Sequence, residues 1–188
     1  MQIIPQGDSF SVAGEFDFRS IYNDEEVVGN FRLKIDVPLD LSVELPSVFE
    51  TGGRIPNDFH KLVDGSLCLG SPLRLRILIE RSFTLQTFVE RCVVPYLHGF
   101  SVYEATGELP FGELEHGFEG IIDDYVEIFE VDSREKALKL FALAARPRSK
   151  ANRVTCPCGS GLRVGKCHHK ILNELRKKVG RLWFKRQL

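Results

Sequence analysis

The chain has 188 residues, 43% of them hydrophobic and 27% charged, a composition typical of a globular protein with one core and a small appendage. Its apolar runs are far too short to cross a bilayer, and the N-terminus lacks the basic start and apolar stretch of a signal peptide. Five cysteines, an odd number, indicate a reducing compartment rather than a disulfide-stabilised fold. We therefore expect a cytoplasmic protein that does not insert into membranes.

The net charge of −1 conceals a strong asymmetry along the chain. Residues 146–188 carry 13 Lys or Arg and one acid, a net charge of +12, whereas the remainder carries −13. An acidic body with a basic tail suggests two units with different roles. The tail could bind nucleic acid, an acidic protein or the acidic body of the same chain, and composition does not separate these three.

The first third of the chain has the pattern of antiparallel strands. Residues 1–18 are predicted to be extended. In "NFRLKIDVP" (30–38) apolar and polar side chains alternate up to a proline, which indicates a half-buried strand. "VELPSVFET" (43–51) predicts a second strand with an edge or a bend at Pro46. "GSLCLG" (65–70) is a short apolar run between glycines.

From residue 82 onward the apolar residues take helical spacing. "SFTLQTFVERCVVPYL" (82–97) predicts a helix with Cys92 on its apolar face, kinked or ended by Pro95. Residues 101–120 are rich in Gly and polar residues and predict a long surface loop, a kind of segment that often carries function. Four residues of this loop are candidates for lining a site or contacting a partner: Glu108, Glu113, Glu115 and His116. The alternative for each is a solvated surface position.

Two more helices are predicted over residues 121–131 and 133–145, with Asp132 capping the second. Strands followed by helices predict an α+β fold. Residues 146–153 read as a basic linker, and the chain ends in a short amphipathic basic helix over residues 170–188.

The segment "CPCGSGLRVGKCHH" (156–169) places four metal-ligand residues within thirteen positions: Cys156, Cys158, Cys167 and His168. Structural zinc takes four tetrahedral thiolate or imidazole ligands, and Pro157 with the Gly-Ser-Gly run permits the necessary tight turns. His169 is an alternative fourth ligand. Because so short a segment has almost no core, the metal must supply its folding energy. Four protein ligands leave no open position, which predicts a structural rather than a catalytic zinc.

This segment resembles the SEC-C motif, a zinc-binding tail found on the SecA translocation ATPase and on many other bacterial proteins. The resemblance rests on C-x-C, eight residues, then Cys followed by Cys or His, with "PCGSG" intact. It implies a zinc knuckle with a short basic helix over residues 154–188.

Residues 31–72 combine an alternating strand, a proline-ended turn, a second strand, a loop containing His60, and a Gly-Ser-Leu-Cys-Leu run around Cys68. This order resembles the catalytic half of ubiquitin-conjugating enzymes, the UBC fold, in which an antiparallel meander leads through a His-Pro-Asn loop to a Gly-x-Ile/Leu-Cys-Leu active site. The resemblance covers residues 31–97, about a third of the chain. It implies a UBC-like α+β domain over residues 1–145, with an antiparallel meander sheet packed by helices.

The resemblance further implies that Cys68 carries the C-terminus of a ubiquitin-like protein as a thioester and passes it to an amine. The partners would be the ubiquitin-like modifier and its activating enzyme. His60 occupies the position of the family's Asn and would donate to the oxyanion or stabilise the thiolate. Taken by itself, Cys68 would be a small structural side chain, because free cysteines are among the most buried residues. The alternative function is a non-catalytic binding module with a UBC-like shape and a zinc tail for docking.

Overall fold

The computed structural model of the protein describes residues 1–6, 9–22, 24–41, 44–80, 84–109 and 117–188. The contacts between residues divide the chain into two compact units. The sheet unit comprises Met1–Leu69 and Phe83–Leu114, and the helical unit comprises Gly70–Ser82 and Glu115–Leu188. A four-stranded antiparallel sheet followed by helices confirms the predicted α+β class.

The sheet is an antiparallel meander in which each strand pairs with the next along the chain. Its four strands are β1 Gln2–Gln6, β2 Ser9–Tyr22, β3 Glu25–Pro38 and β4 Ser47–Glu50. β2 and β3 have 14 residues each and form one long hairpin, with Phe16 opposite Phe31. β4 pairs only with residues 33–36 of β3, and it begins just after Pro46, where the missing N–H prevents an earlier start.

The alternation in β3 places its apolar residues on one face of the sheet. Phe31, Leu33, Ile35 and Val37 are all fully buried, while Arg32 on the opposite face is exposed. Each such side chain contributes roughly 1.5–3 kcal/mol through burial. The buried face is covered by a helix of the same unit, whose Phe100 ring meets Phe31 at 6.0 Å between centroids.

The predicted helix over residues 82–97 is present from Leu85 onward, in three segments, and residues 82 and 83 lie outside the described residues. These are α2 Leu85–Phe88, a π-helical turn Val89–Val93, and α3 Val94–Thr106. Pro95 does not end the helix: it follows directly on the π-helical turn, and α3 continues past it to Thr106. The π-helical turn carries the chain into this position, with the Val94 N–H bonded to the Val89 carbonyl.

Both ends of the predicted surface loop over residues 101–120 are helical in the structure. α3 continues to Thr106 and ends at Gly107, whose left-handed φ of 76° suits glycine. α4 begins at Gly117. Residues 110–116 lie outside the described residues, and with them Glu113, Glu115 and His116. Glu108 is exposed.

The helical unit contains six α-helices in its described residues and one short 3-10 helix, Val164–Lys166. The α-helices are α1 Pro72–Ile79, α4 Gly117–Phe129, α5 Arg134–Ala145, α6 Arg148–Ala151, α7 His169–Lys178 and α8 Arg181–Arg186. No helix in the described part of the chain is long and apolar enough to cross a membrane.

The predicted cap of α5 was wrong by one residue. The side chain of Ser133 accepts the hydrogen bond from the Lys136 N–H, at 3.4 Å. Asp132 instead pairs with the Lys136 ammonium at 2.7 Å, on the surface. Both residue types cap helices well, and the extended backbone of Ser133 decides which of them stands at the N-cap.

One hydrophobic core joins residues 154–188 to the preceding helices of this unit. The Phe141 ring of α5 stacks on Tyr125 of α4 at 5.3 Å and meets the edges of Phe184 and Trp183 at 5.0 and 6.0 Å. Cys156 belongs to the same core. The units therefore divide the chain differently from the predicted boundaries at residues 145 and 154.

The predicted linker over residues 146–153 contains a helix, α6, and its Ala151 is fully buried in the core of the helical unit. The four basic residues of this stretch are exposed. Its composition is that of a linker, but Ala151 packs in the core, and the carbonyls of Arg146 and Asn152 accept hydrogen bonds from Arg176 and from the Gly165 N–H, both at 3.1 Å.

Candidate functional site

Four residues near the C-terminus form a cluster that could hold a metal ion: Cys156, Cys158, Cys167 and His168. Their ligand atoms all lie within 4.8 Å of one another. Nδ1 of His168 is 3.1 Å from Sγ of Cys156 and 3.1 Å from Sγ of Cys167, and Sγ of Cys158 is 3.5 Å from Sγ of Cys167.

The donor set of this cluster fits a tetrahedral metal site. With zinc–sulfur bonds of about 2.3 Å, the corners of the tetrahedron stand about 3.8 Å apart, close to the observed separations. Three thiolates and one imidazole complete four-coordination, so a bound ion would have no open position for substrate. Such an ion would act as a cross-link between chain segments rather than as a Lewis acid.

A short hairpin presents the first two cysteines. Thr155 bridges Arg163, and the Cys156 N–H donates to the Leu162 carbonyl at 2.7 Å. The turn between Cys156 and Leu162 contains Gly159 and Gly161, with left-handed φ values of 89° and 73°. A side chain at either position would be strained, which explains the Gly-Ser-Gly sequence.

The other two ligand residues stand at the start of α7. The Cys167 N–H donates to the Val164 carbonyl at 3.1 Å, and the His168 carbonyl accepts the N–H of Leu172 at 3.1 Å. Leu172 is fully buried, so the packing of α7 on the core of the helical unit fixes where His168 stands. His169 was an alternative ligand in the sequence, but it is the first residue of α7 and not part of the cluster.

The thiols of the cluster differ in acidity. Hydrogen bonds from the side chain and backbone of Ser160 lower the pKa of Cys158 to about 6. Burial raises the pKa of Cys156 to about 11. A cation among the ligands would favour the thiolate form of each, because metal binding displaces the thiol protons.

Cys68 lies in the sheet unit, at the far end of the loop that follows β4, the last strand of the meander. The Leu67 N–H donates to the Val48 carbonyl of β4 at 2.7 Å, and the Cys68 N–H donates to the His60 carbonyl at 2.7 Å. The run around Cys68 is an isolated bridge between Leu67 and Lys61 rather than a full strand. Leu67 is buried and Cys68 is half-buried.

The loop before Cys68 is held by its own polar contacts. The carboxylate of Glu50, at the end of β4, accepts the N–H groups of Gly52, Gly53 and Ile55 at 2.7, 3.0 and 3.3 Å. The Lys61 ammonium donates to the Ile55 carbonyl at 2.8 Å. These contacts hold the loop to the end of β4, and the loop leads from there to Cys68.

His60 has a left-handed backbone, with φ of 39°. Its carbonyl accepts two hydrogen bonds, one from the Cys68 N–H and one from the Tyr96 hydroxyl at 3.2 Å. Its ring meets the edge of Phe59 at 4.9 Å between centroids. The structure thus brings the main chains of His60 and Cys68 together, and it adds Tyr96, which sequence reasoning missed. In the sequence, the only feature that marked Tyr96 was its position in the predicted helix, one turn after the apolar-face residue Cys92.

Cys92 is a core residue, as predicted, with 3% of its surface exposed. Burial raises the pKa of the Cys92 thiol to about 11. Cys68 and Cys92 therefore offer a direct comparison within one unit between a half-buried and a fully buried thiol.

The basic tail has two kinds of positive residue. Arg176 donates to the carbonyls of Leu143, Ala144 and Arg146, and Arg181 donates to that of Ala145, so both bind the C-terminal end of α5. Burial, together with neighbouring arginines, lowers the pKa of Arg176. The exposed bases without an ion pair to any described acid are Arg146, Arg148, Lys150, Arg153, Arg163, Lys166, Lys170, Lys177 and Lys185.

Several acids of the helical unit pair with bases outside the tail. Arg74 of α1 pairs with Asp124, and Arg134 pairs with Asp123 at 2.5 Å. Trp183 and Phe184, the only aromatic side chains of the tail, are buried in the core and cannot stack on bases of a nucleic acid.

Comparison of the chain with protein-family models, with curated proteins and with solved structures found no match.

Proposed function

We propose that this protein is a relative of ubiquitin-conjugating enzymes and carries a ubiquitin-like modifier as a thioester on Cys68. The observation that carries the proposal is the placement of Cys68: half-buried after the last strand of an antiparallel meander, with its N–H bonded to the His60 carbonyl. These are the two residues that the UBC-like pattern singles out. The braced loop before Cys68 supports the proposal, because catalytic groups need fixed supports.

The proposed reaction has two steps. First, the Cys68 thiolate attacks the carbonyl carbon of the thioester that joins the modifier to its activating enzyme. A new C–S bond forms, the old one breaks, and the enzyme's thiolate leaves. Second, an amine attacks the new thioester, an amide bond forms, the Cys68 thiolate leaves, and the amine's proton passes to solvent. In both steps the imidazole of His60 would donate a hydrogen bond to the oxyanion.

We propose that the C-terminal cluster is a structural zinc site of the SEC-C kind. Three cysteines and one histidine within reach of one ion support this. The cluster sits in a core that includes α4 and α5, so the metal would stabilise the whole helical unit rather than an isolated knuckle.

A gel assay tests the thioester. The protein is incubated with a ubiquitin-like modifier already charged on its activating enzyme and is run without reductant. The wild type and a Cys92→Ala variant should both give an adduct that thiols remove, and Cys68→Ala should give none. An adduct that persists in Cys68→Ala, or none in the wild type with any charged modifier, would contradict the proposal.

A second candidate is a non-catalytic binding module of the same shape. The residue that favours it is His60 itself, which stands where the resembling family has an asparagine. In that case the Cys68 thiol would form no adduct, and the modifier would bind unchanged in Cys68→Ala.

A further inference from the structure

Tyr96 lies at the start of α3, and its side chain reaches the loop before Cys68. The phenol hydroxyl shares its one proton between the carbonyls of Phe59 and His60, both at 3.2 Å. The Tyr96 ring meets the Phe59 ring edge-on at 6.0 Å. Tyr96 thus contacts the Cys68 loop at the two residues that precede the Lys61–Leu67 bridge.

The His60 backbone needs such support. A non-glycine residue in the left-handed region is strained and persists only where its surroundings hold it. The Phe59 ring is held by Phe100 and Tyr103 at 4.9 and 5.0 Å between centroids, which fixes one side of the turn. The His60 carbonyl is fixed by the Tyr96 hydroxyl and the Cys68 N–H together.

This shared carbonyl couples Tyr96 to Cys68. One oxygen accepts from the phenol on one side and from the amide of the cysteine on the other. Burial, with the nearby Cys68 and Glu50, raises the pKa of Tyr96, so the phenol keeps its proton and remains a donor throughout the physiological range.

We infer that Tyr96 is a positioning residue for the cysteine site: its hydroxyl fixes the His60 main chain and so sets where the His60 imidazole stands relative to the Cys68 thiol. The inference rests on the proposed function, because it assigns the imidazole a role at that thiol. Tyr96 itself touches neither the modifier nor the reacting atoms in this mechanism.

The test measures how fast iodoacetamide alkylates Cys68 in the folded protein, and it needs no modifier. Peptide mass spectrometry follows Cys68 in the wild type, Tyr96→Phe, His60→Ala and the double variant. Tyr96→Phe should slow alkylation near neutral pH by about fivefold, the effect of one hydrogen bond, and should move the pH midpoint of the rate upward. The same substitution in the His60→Ala background should change nothing further, because the two residues act through one contact.

Tyr103→Phe is the matched control. Tyr103 lies on the same helix, is exposed, and has no side-chain hydrogen bond among the described residues. Its rate should equal that of the wild type. If Tyr96→Phe melts too low for the assay, 4-aminophenylalanine at position 96 restores a donor and should restore the wild-type rate.

Two results would overturn the inference. One is an unchanged Cys68 rate in Tyr96→Phe. The other is an equal slowing by Tyr96→Phe with and without His60, since that would mean a general loosening of the loop. A failed thioester assay with intact coupling between Tyr96 and His60 would instead reject the proposed function and leave the positioning role of Tyr96 in place.

Discussion

At the scale of single residues, the two cysteines of the sheet unit are chemically distinct. Cys68 is half-buried at the end of a braced loop, whereas Cys92 is 3% exposed and burial raises its pKa to about 11. Since the thiolate is the reactive form, burial lowers the reactivity of Cys92 in two ways: it blocks access to the sulfur and it disfavours ionisation of the thiol. The remaining cysteines belong to the metal cluster.

We predict that iodoacetamide labels Cys68 of the folded, zinc-loaded protein at least about tenfold faster than Cys92 near neutral pH. Peptide mass spectrometry after timed quenching measures both rates in one sample. Cys68→Ser should leave the melting temperature nearly unchanged, because a half-buried hydroxyl keeps access to water. Labelling of Cys68 only under denaturant, with a large loss of stability in Cys68→Ser, would mean that this cysteine is structural.

At the scale of helices and strands, the sequence predicted β3 and α5 well, since period-2 and period-3.6 patterns are strong where one face is buried. It missed α1. Residues 72–79, "PLRLRILI", alternate like a strand, and the helix forms because Ser71 caps it, accepting the Arg74 N–H at 3.2 Å, and Pro72 opens it. The residues at the helix N-terminus therefore determine the structure of this segment, although its alternating pattern predicts a strand.

The candidate sites also contain residues that the sequence predicted and residues that it did not. Spacing predicted the Cys/His cluster, with His169 as the alternative to His168, because short turns readily bring ligands that are close in sequence together in space. Tyr96 could not be predicted, since it is 36 residues from the His60 carbonyl that it binds. Asp124 likewise accepts from Ser71 and Arg74 across a separation of at least 50 residues. Such contacts depend on tertiary packing.

The docking of α7 on α5 gives a prediction at this scale. Arg176 donates to three carbonyls at the end of α5, so Arg176→Met should destabilise the helical unit by about 1–3 kcal/mol. Lys177→Met is the matched control, because Lys177 is the next residue and is exposed. Its effect should stay within about 0.5 kcal/mol. Urea unfolding followed by circular dichroism measures both, and equal effects would refute the capping role of Arg176.

At the scale of the whole molecule, the metal cluster and the helices of its unit share one core. The sequence, in which the metal-binding segment has almost no core of its own, predicts that loss of metal melts only the tail and leaves the acidic body folded. The position of Cys156 in the core with Phe141 changes that expectation for α4 and α5, while β3 has its own buried residues in the sheet unit.

We predict one zinc per chain, and chelation should lower the hydrogen-exchange protection of α5 by about tenfold or more while leaving β3 protected. Mass spectrometry of exchanged peptides, with and without chelator, reads both elements in one experiment. Cys158→Ser should reproduce the chelated pattern. Unchanged protection of α5 after complete zinc loss would contradict a shared core.

The exposed bases of the tail are predicted to bind a polyanion. Acids of the helical unit already pair with Arg74 and Arg134, so these bases remain available to a polyanion. If the partner is nucleic acid, a fluorescent duplex should bind with little sequence preference and lose affinity steeply with salt. Lys177→Glu with Lys185→Glu should weaken binding, and Lys139→Glu, outside the tail, should not. A duplex that does not bind at low salt would favour an acidic protein partner.

The central claim is that Cys68 is the acyl acceptor, and an ester trap tests it most directly. Cys68→Ser replaces the thioester with an oxygen ester that survives reductant. After incubation with a charged ubiquitin-like modifier, intact-mass analysis should show the two masses joined with loss of one water, and peptide mapping should place the bond at residue 68. An unmodified mass for Cys68→Ser, together with no thiol-sensitive adduct in the wild type, would contradict the claim.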